Sequence, residues 1–178
     1  SLAKRIKPGK TLLCGATAAM SKPALRAFCE GLFLAAYKFS RRSKPADAPE
    51  PEIAHLQLVV ASPASSAATV NQACVTAEAV LRARELANLP SNEKSPAFLA
   101  EQAQQLAKVS DLKVTVFDQK TLERRKFGGI LAVGQGSAHE PRLITLEHKG
   151  SAGAPHVVLV GKGVTFDSGG LSLKPARG

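Results

Sequence analysis

Three charged side chains close to the C-terminal end of the sequence could act together: Lys162, Asp167 and Lys174, in the run "VGKGVTFDSGGLSLKPARG" from Val160 to Gly178. The preceding "HVVLVG" delivers Lys162 at the end of an apolar segment, and Gly169-Gly170 beside Asp167 let the backbone turn tightly. Two lysines and a carboxylate gathered around a glycine turn at a strand end are costly unless something binds there. The competing reading is two solvated surface lysines and an Asp turn, and spacing alone does not decide between them. Ser168 adds a second chemistry. A serine nucleophile needs a histidine base within hydrogen-bond reach and a carboxylate that orients the base.

The nucleophile reading is weak. Asp-Ser-Gly-Gly also surrounds the reactive serine of trypsin-like proteases, but there a glycine precedes it, where this chain has Phe166. Those enzymes are all-β with paired cysteines, and no histidine here sits in an Ala-Ala-His-Cys context. The four histidines, His55, His139, His148 and His156, show no HExxH or other metal-binding spacing. Gly134-Gln135-Gly136-Ser137 resembles half of a dinucleotide fingerprint, but His139 stands where the third glycine belongs. A tight turn is the better account of those glycines. Cys29 is expected in the core rather than as a nucleophile.

The elements that must position the charged cluster can be read from patterning. "TLLCGA" (11–16) is a short strand. Ser21 caps a helix with Pro23 in its first turn, and Leu25, Phe28, Leu32, Ala36 and Phe39 recur at helical spacing. "RRSKPADAPEPE" (41–52) is a charged, Pro-rich loop, and "HLQLVVAS" an alternating strand. From Ser65 to about Leu86 the chain is Ala-rich without Gly or Pro, and Val70, Ala73, Cys74, Ala77 and Leu81 share a face. This long helix ends where Pro90 and Pro96 forbid its continuation, and a domain boundary is placed there. Ser95-Pro96 opens another helix and "LKVTVFD" is a strand. Asp118 caps a short helix expected to end at Gly128-Gly129. "ILAVG", "RLITLEH" and "HVVLVG" are read as three more strands, the last buried on both faces because it is apolar without alternation. Strands interleaved with helices give an α/β fold with a mixed, partly parallel sheet.

Composition narrows the function classes. The chain is 44% hydrophobic, 21% charged and 4% aromatic, without Trp. So few aromatics leave little base-stacking surface for single-stranded nucleic acid. The longest apolar runs fall well short of the roughly 18 residues a membrane helix needs, and the basic start, interrupted by Pro8-Gly9-Lys10 and followed by a short apolar run, is not expected to be a signal peptide. The three cysteines, Cys14, Cys29 and Cys74, form no CxxC pair and are read as reduced, mostly packed thiols of a cytoplasmic protein. The net charge of +10 admits a nucleic-acid or acidic partner. Scattered solvated Lys and Arg are the favoured explanation, since the densest cluster, Arg41-Arg42-Ser43-Lys44, lies in the Pro-rich loop.

"VGKGVTFDSGGLSLKP" closely resembles the signature of the leucyl aminopeptidases, or cytosol aminopeptidases, which are dinuclear metal exopeptidases. "RARELANLPSNEKSPAFLAEQAQQLAK" resembles their linker and the start of their catalytic domain. "FGGILAVGQGSAHEPRLITLEHKG" resembles the next glycine loop and its flanking strands, and "ALRAFCEGLFLAAYKFSRRSK" the end of their N-terminal domain. The resemblance implies a division into 1–64, the last part of an α/β N-terminal domain; 65–90, a linker helix; and 91–178, the start of the catalytic domain. By position it assigns Lys162 as ligand to one metal, Asp167 as the carboxylate bridging both, and Lys174 as the catalytic lysine. It implies two divalent ions, Mn²⁺ or Zn²⁺, peptide substrates with leucine-like N-termini, a cytoplasmic homo-hexamer and no membrane attachment. The family pattern continues with further acidic ligands and an arginine, so this stretch is expected to be an internal piece, inactive alone. Because some bacterial members also bind DNA, the alternative is a DNA-binding or regulatory role for the basic N-terminal portion.

Overall fold

The computed structural model describes residues 10–39, 53–168 and 175. The Pro-rich run 41–52 and Lys174 lie outside these described residues. The chain divides into two compact units, residues 1–88 and 89–178.

The first unit is built on two parallel strands, β1 (Lys10–Cys14) and β2 (Ile53–Leu58), paired Thr11 to His55 through Cys14 to Leu58 with an irregularity after Lys10. Parallel strands need a crossover. Part of it is helix α1 (Lys22–Ala35), where Ser21 Oγ accepts from the Ala24 amide and Pro occupies the first turn. Leu25, Cys29 and Leu32 are buried along one stripe of α1 at helical spacing. Helix α2 (Pro63–Asn88) then lies against α1, burying Thr69, Ala73 and Ala77. Two bonds join the helices directly, and two more tie Tyr37, just past the end of α1, to α2. Arg26 donates to Thr76 Oγ1 at 3.2 Å, Arg84 to the Leu34 carbonyl at 3.1 Å, Tyr37 to Glu85 at 2.9 Å, and Asn88 to the Tyr37 oxygen at 3.1 Å. These pairs are 50, 50, 48 and 51 residues apart. So constant an offset means that the two helices run parallel.

Thr17 ties the strand ends together. Its hydroxyl lies 2.9 Å from the Cys14 carbonyl and 2.6 Å from that of Val59, and the residue is only 2% exposed. Removing this donor leaves the Cys14 carbonyl with the Val59 amide alone, at 3.1 Å, and takes the hydroxyl from the partly buried Val59 carbonyl. Thr17→Val should therefore destabilise the protein by about 1–3 kcal/mol, while Thr17→Ser, which keeps the hydroxyl, should cost less. Urea unfolding of both variants checks this; equal loss in the two would show that the methyl group, not the hydrogen bonds, matters.

In the second unit, Ser95 Oγ accepts from the Phe98 amide at 3.2 Å and starts α3 (Pro96–Lys108). Strand β3 (Lys113–Phe117) pairs antiparallel with β4 (Leu143–Glu147). Between them lie α4 (Gln119–Arg124) and α5 (Gly128–Gly134). Leu122, fully buried, anchors α4, while Arg125 sits 5.0 Å over the Phe117 ring, which packs on Phe127 at 6.3 Å between centroids.

Three expectations are corrected here. The helix capped by Asp118 ends at Arg124, not at Gly128-Gly129; Lys126, at φ 60°, makes the left-handed reversal, and the glycine pair opens α5. "ILAVG" is helical rather than extended, with the Leu131 amide donating to the Phe127 carbonyl at 3.2 Å. Five apolar residues carry too little periodicity to separate the two states. Gly134 serves close approach: a Cβ there would meet Pro141 at 3.0 Å. Finally, "HVVLVG" forms no paired strand among the described residues. Val157, Val158, Leu159 and Val160 are 80, 79, 92 and 94% exposed. β3 and β4 pair only with each other, so no described strand borders the run.

The Asp118 carboxylate accepts from the Thr121 amide at 2.9 Å. Hydrogen bonding from Thr121, side chain first and then backbone, holds its pKa below the usual carboxylate value, with Arg142 and Arg124 assisting. A depressed folded pKa means that the cap contributes above the unfolded value and is lost as pH falls through the folded one. The Thr121 amide resonance should therefore titrate with a midpoint below that of an unperturbed aspartate, and Asp118→Asn should abolish the titration. A normal midpoint would contradict the capping geometry.

Candidate metal centre

Lys162 is flanked by Gly161 and Gly163, positions where an added Cβ would meet nothing within 4 Å. Five residues of extended chain span up to about 16 Å. Yet Lys162 Nζ lies 3.7 Å from Asp167 Oδ2. The backbone bends at Thr165, and that bend brings the amine and carboxylate together. Two of the three charged residues singled out from sequence therefore meet in space, while Lys174 falls outside the described residues.

Both groups face water: the side chains are 74% and 44% exposed. An ion pair so solvated contributes no more than about 1 kcal/mol to stability. Lys162→Met should accordingly leave the unfolding midpoint almost unchanged, within the shift that 1 kcal/mol gives in a urea titration. A markedly larger loss would mean that the pair is structural, which would argue against keeping these residues for binding.

The donor chemistry fits a divalent cation. A carboxylate offers hard oxygen donors and can hold two ions, and a lysine amine offers nitrogen once deprotonated. Among the described residues no group of three His, Cys, Asp or Glu is gathered for a metal. The other chemistries weighed from sequence find no such support. No hydrogen bond joins the exposed Ser168 to a histidine among the described residues; His148 faces the Asp111 carbonyl at 3.2 Å, and the His139 amide bonds Ser137 Oγ at 3.0 Å.

Patterning did not reveal a cavity of about 560 Å³ beside the Gly134–Ser137 segment, lined by Gln119, Glu123, Leu131, Gln135, His139 and Pro141. Several polar groups at its rim are engaged with one another: Gln119 bonds Glu123 at 2.9 Å, and Glu140 pairs with Arg142 at 2.9 Å. It forms through the fold of α4, α5 and the following loop, so only the two glycines hinted at it. Among the described residues no helix is long and apolar enough to cross a membrane.

The α/β chain thus brings an amine and a carboxylate to 3.7 Å across the Thr165 bend. Residues 81–178 match the cytosol aminopeptidase family, catalytic domain. The chain is 49% identical over 162 residues to a probable cytosol aminopeptidase of Syntrophotalea carbinolica, covering 86% of this chain and 32% of that protein. It is 44% identical over 160 residues to a probable cytosol aminopeptidase of Rhodococcus opacus, with the same coverage. Among solved structures, the cytosol aminopeptidase of Coxiella burnetii superposes with a TM-score of 0.79 at 30% identity, covering 98% of this chain and 35% of that one. The bottromycin maturation enzyme BotP in complex with Mn gives 0.78 at 33% identity, covering 98% and 37%. The chain belongs to the cytosol aminopeptidase family. It spans about a third of the length of the curated relatives it matches.

Proposed function

We propose that the protein containing this chain is a metal-dependent aminopeptidase that hydrolyses the N-terminal residue, leucine-like by preference, from peptides. The observation that carries this reading is the Lys162–Asp167 approach at the Thr165 bend, in a chain of this family. Lys162 would hold one divalent ion and Asp167 would bridge two, with further ligands from outside the described residues. Such a pair of ions supplies an activated water and a Lewis acid when bound. BotP, described with Mn, supports a divalent metal, and Mn²⁺ or Zn²⁺ are the ions proposed.

The chain's own residues have distinct tasks. Asp167 would supply the negative charge that two cations in one site need. Lys162 would offer nitrogen to one of them, which requires a neutral amine. Lys174 stays cationic, orients the scissile carbonyl and stabilises the oxyanion that develops on it. Ser168 supports the turn. We assign 1–64 to the end of an N-terminal domain, 65–90 to a linker helix and 91–178 to the start of the catalytic domain. A cytoplasmic hexamer acting on peptides completes the proposal.

In the full-length protein, Asp167→Asn should lower leucine-amide hydrolysis by at least about 100-fold and weaken metal binding, with unchanged far-UV circular dichroism. Activity within a few-fold of wild type would refute the assignment. The net charge of +10 is compatible with a second reading, in which the basic N-terminal portion binds DNA. Affinity for duplex DNA should then fall steeply with salt; a flat response would remove it.

A further inference from the structure

The 560 Å³ cavity of the second unit has a lining of one charge sign. Its volume falls in the range of about 300–1,000 Å³ usual for small-molecule sites. Helix α4 supplies Gln119 and Glu123, one turn apart on one face. Helix α5 supplies Leu131, and the loop after it Gln135, His139 and Pro141. Local bonds build this loop: the Ser137 amide donates to the Gly134 carbonyl at 3.0 Å, and the His139 amide to Ser137 Oγ at 3.0 Å. The two ends of the loop touch, since a Cβ on Gly134 would meet Pro141 at 3.0 Å.

Charge decides the class of ligand. The lining contains Glu123 and Glu140 but no Lys or Arg. Glu140 is neutralised by Arg142 at 2.9 Å. Glu123 meets no cation among the described residues; its Oε1 accepts from the neutral Gln119 amide at 2.9 Å. An anion would therefore meet uncompensated negative charge. A metal ion fits no better, because no three His, Cys, Asp or Glu gather for one among the described residues. The Gln135 side chain and the His139 ring make no hydrogen bond among the described residues, so each adds a free acceptor to the second Glu123 oxygen.

We propose that this cavity binds a small organic cation, a primary ammonium on a short branched apolar body. An ammonium has three N–H donors and no acceptor. It donates to Glu123 Oε2, to the Gln135 amide oxygen and to a ring nitrogen of neutral His139, while the apolar body lies on Leu131 and Pro141. Glu123 is exposed, so the attraction is screened and binding weakens as salt rises. Binding here needs neither a metal nor hydrolysis, so it stands or falls apart from the peptidase reading.

The test uses the full-length protein and two probes, isoamylamine and an alkylamine carrying a diazirine. After photolysis, labelled peptides are mapped by mass spectrometry. The label should fall on peptides within residues 119–141, and excess isoamylamine should displace it. Isovalerate, of similar shape but opposite charge, should not. Glu123→Gln keeps the bond to Gln119 but removes the charge, and should weaken isoamylamine binding by about tenfold or more in a calorimetric titration. Should that variant fold poorly by circular dichroism, the amine-against-isovalerate comparison on the wild type decides alone. A label confined to peptides containing Lys162 would overturn the proposal. So would equal displacement by isovalerate, or an affinity unchanged in a folded Glu123→Gln variant.

Discussion

Every extended segment of this chain must find partners for its backbone amides and carbonyls, and the architecture follows from which segments find them. β1 finds β2 in parallel, which obliges the chain to cross over and lays α1 and α2 side by side in the same direction. β3 finds β4 in the antiparallel sense, so a shorter connection suffices, and it is folded into α4 and α5. Residues 157–160 find no ladder partner among the described residues, and their apolar side chains stand in water. The same rule explains Thr17, whose hydroxyl serves carbonyls at the two strand ends where pairing runs out.

Much of this was legible because it is local. Ser21, Ser95 and Asp118 each cap the helix they announce, since a short oxygen-bearing side chain ahead of an apolar repeat has one favourable use. The Ala-rich stretch from Ser65 lies within a single helix of 26 residues. β1 to β4 fall where alternation or apolar runs placed strands. The α/β class, which needs only element order, survives the misreading of "ILAVG". In that segment Val133 is 73% exposed, so its apolar residues do not mark one buried face, and only the helical bond from Leu131 to Phe127 settles the state. Lys126 was invisible for another reason: lysine rarely adopts positive φ, and here the reversal closes α4 with the Phe127 amide donating to the Leu122 carbonyl at 2.9 Å.

The interactions between elements had no sequence signal at all. Nothing in Arg26 announces Thr76, nor in Tyr37 that Glu85 and Asn88 share its hydroxyl. These residues meet because two helices lie parallel, which is decided by strands that are themselves distant in sequence. The packing of Cys29 on α1 against Ala73 on α2 has the same origin.

The site shows how weak local geometry is without its surroundings. The bend at Thr165 is enough to bring Lys162 and Asp167 to 3.7 Å. In water, two unit charges at that distance attract by only about 1 kcal/mol, and the attraction grows roughly fourfold when the effective dielectric falls from 80 to 20. Strong metal binding and oxyanion stabilisation both depend on that drier state. The exposed run 157–160 ends two residues before Lys162, so a segment that covered it would also lower the dielectric around the amine. Burial of the apolar run and a stronger Lys162–Asp167 attraction would then go together.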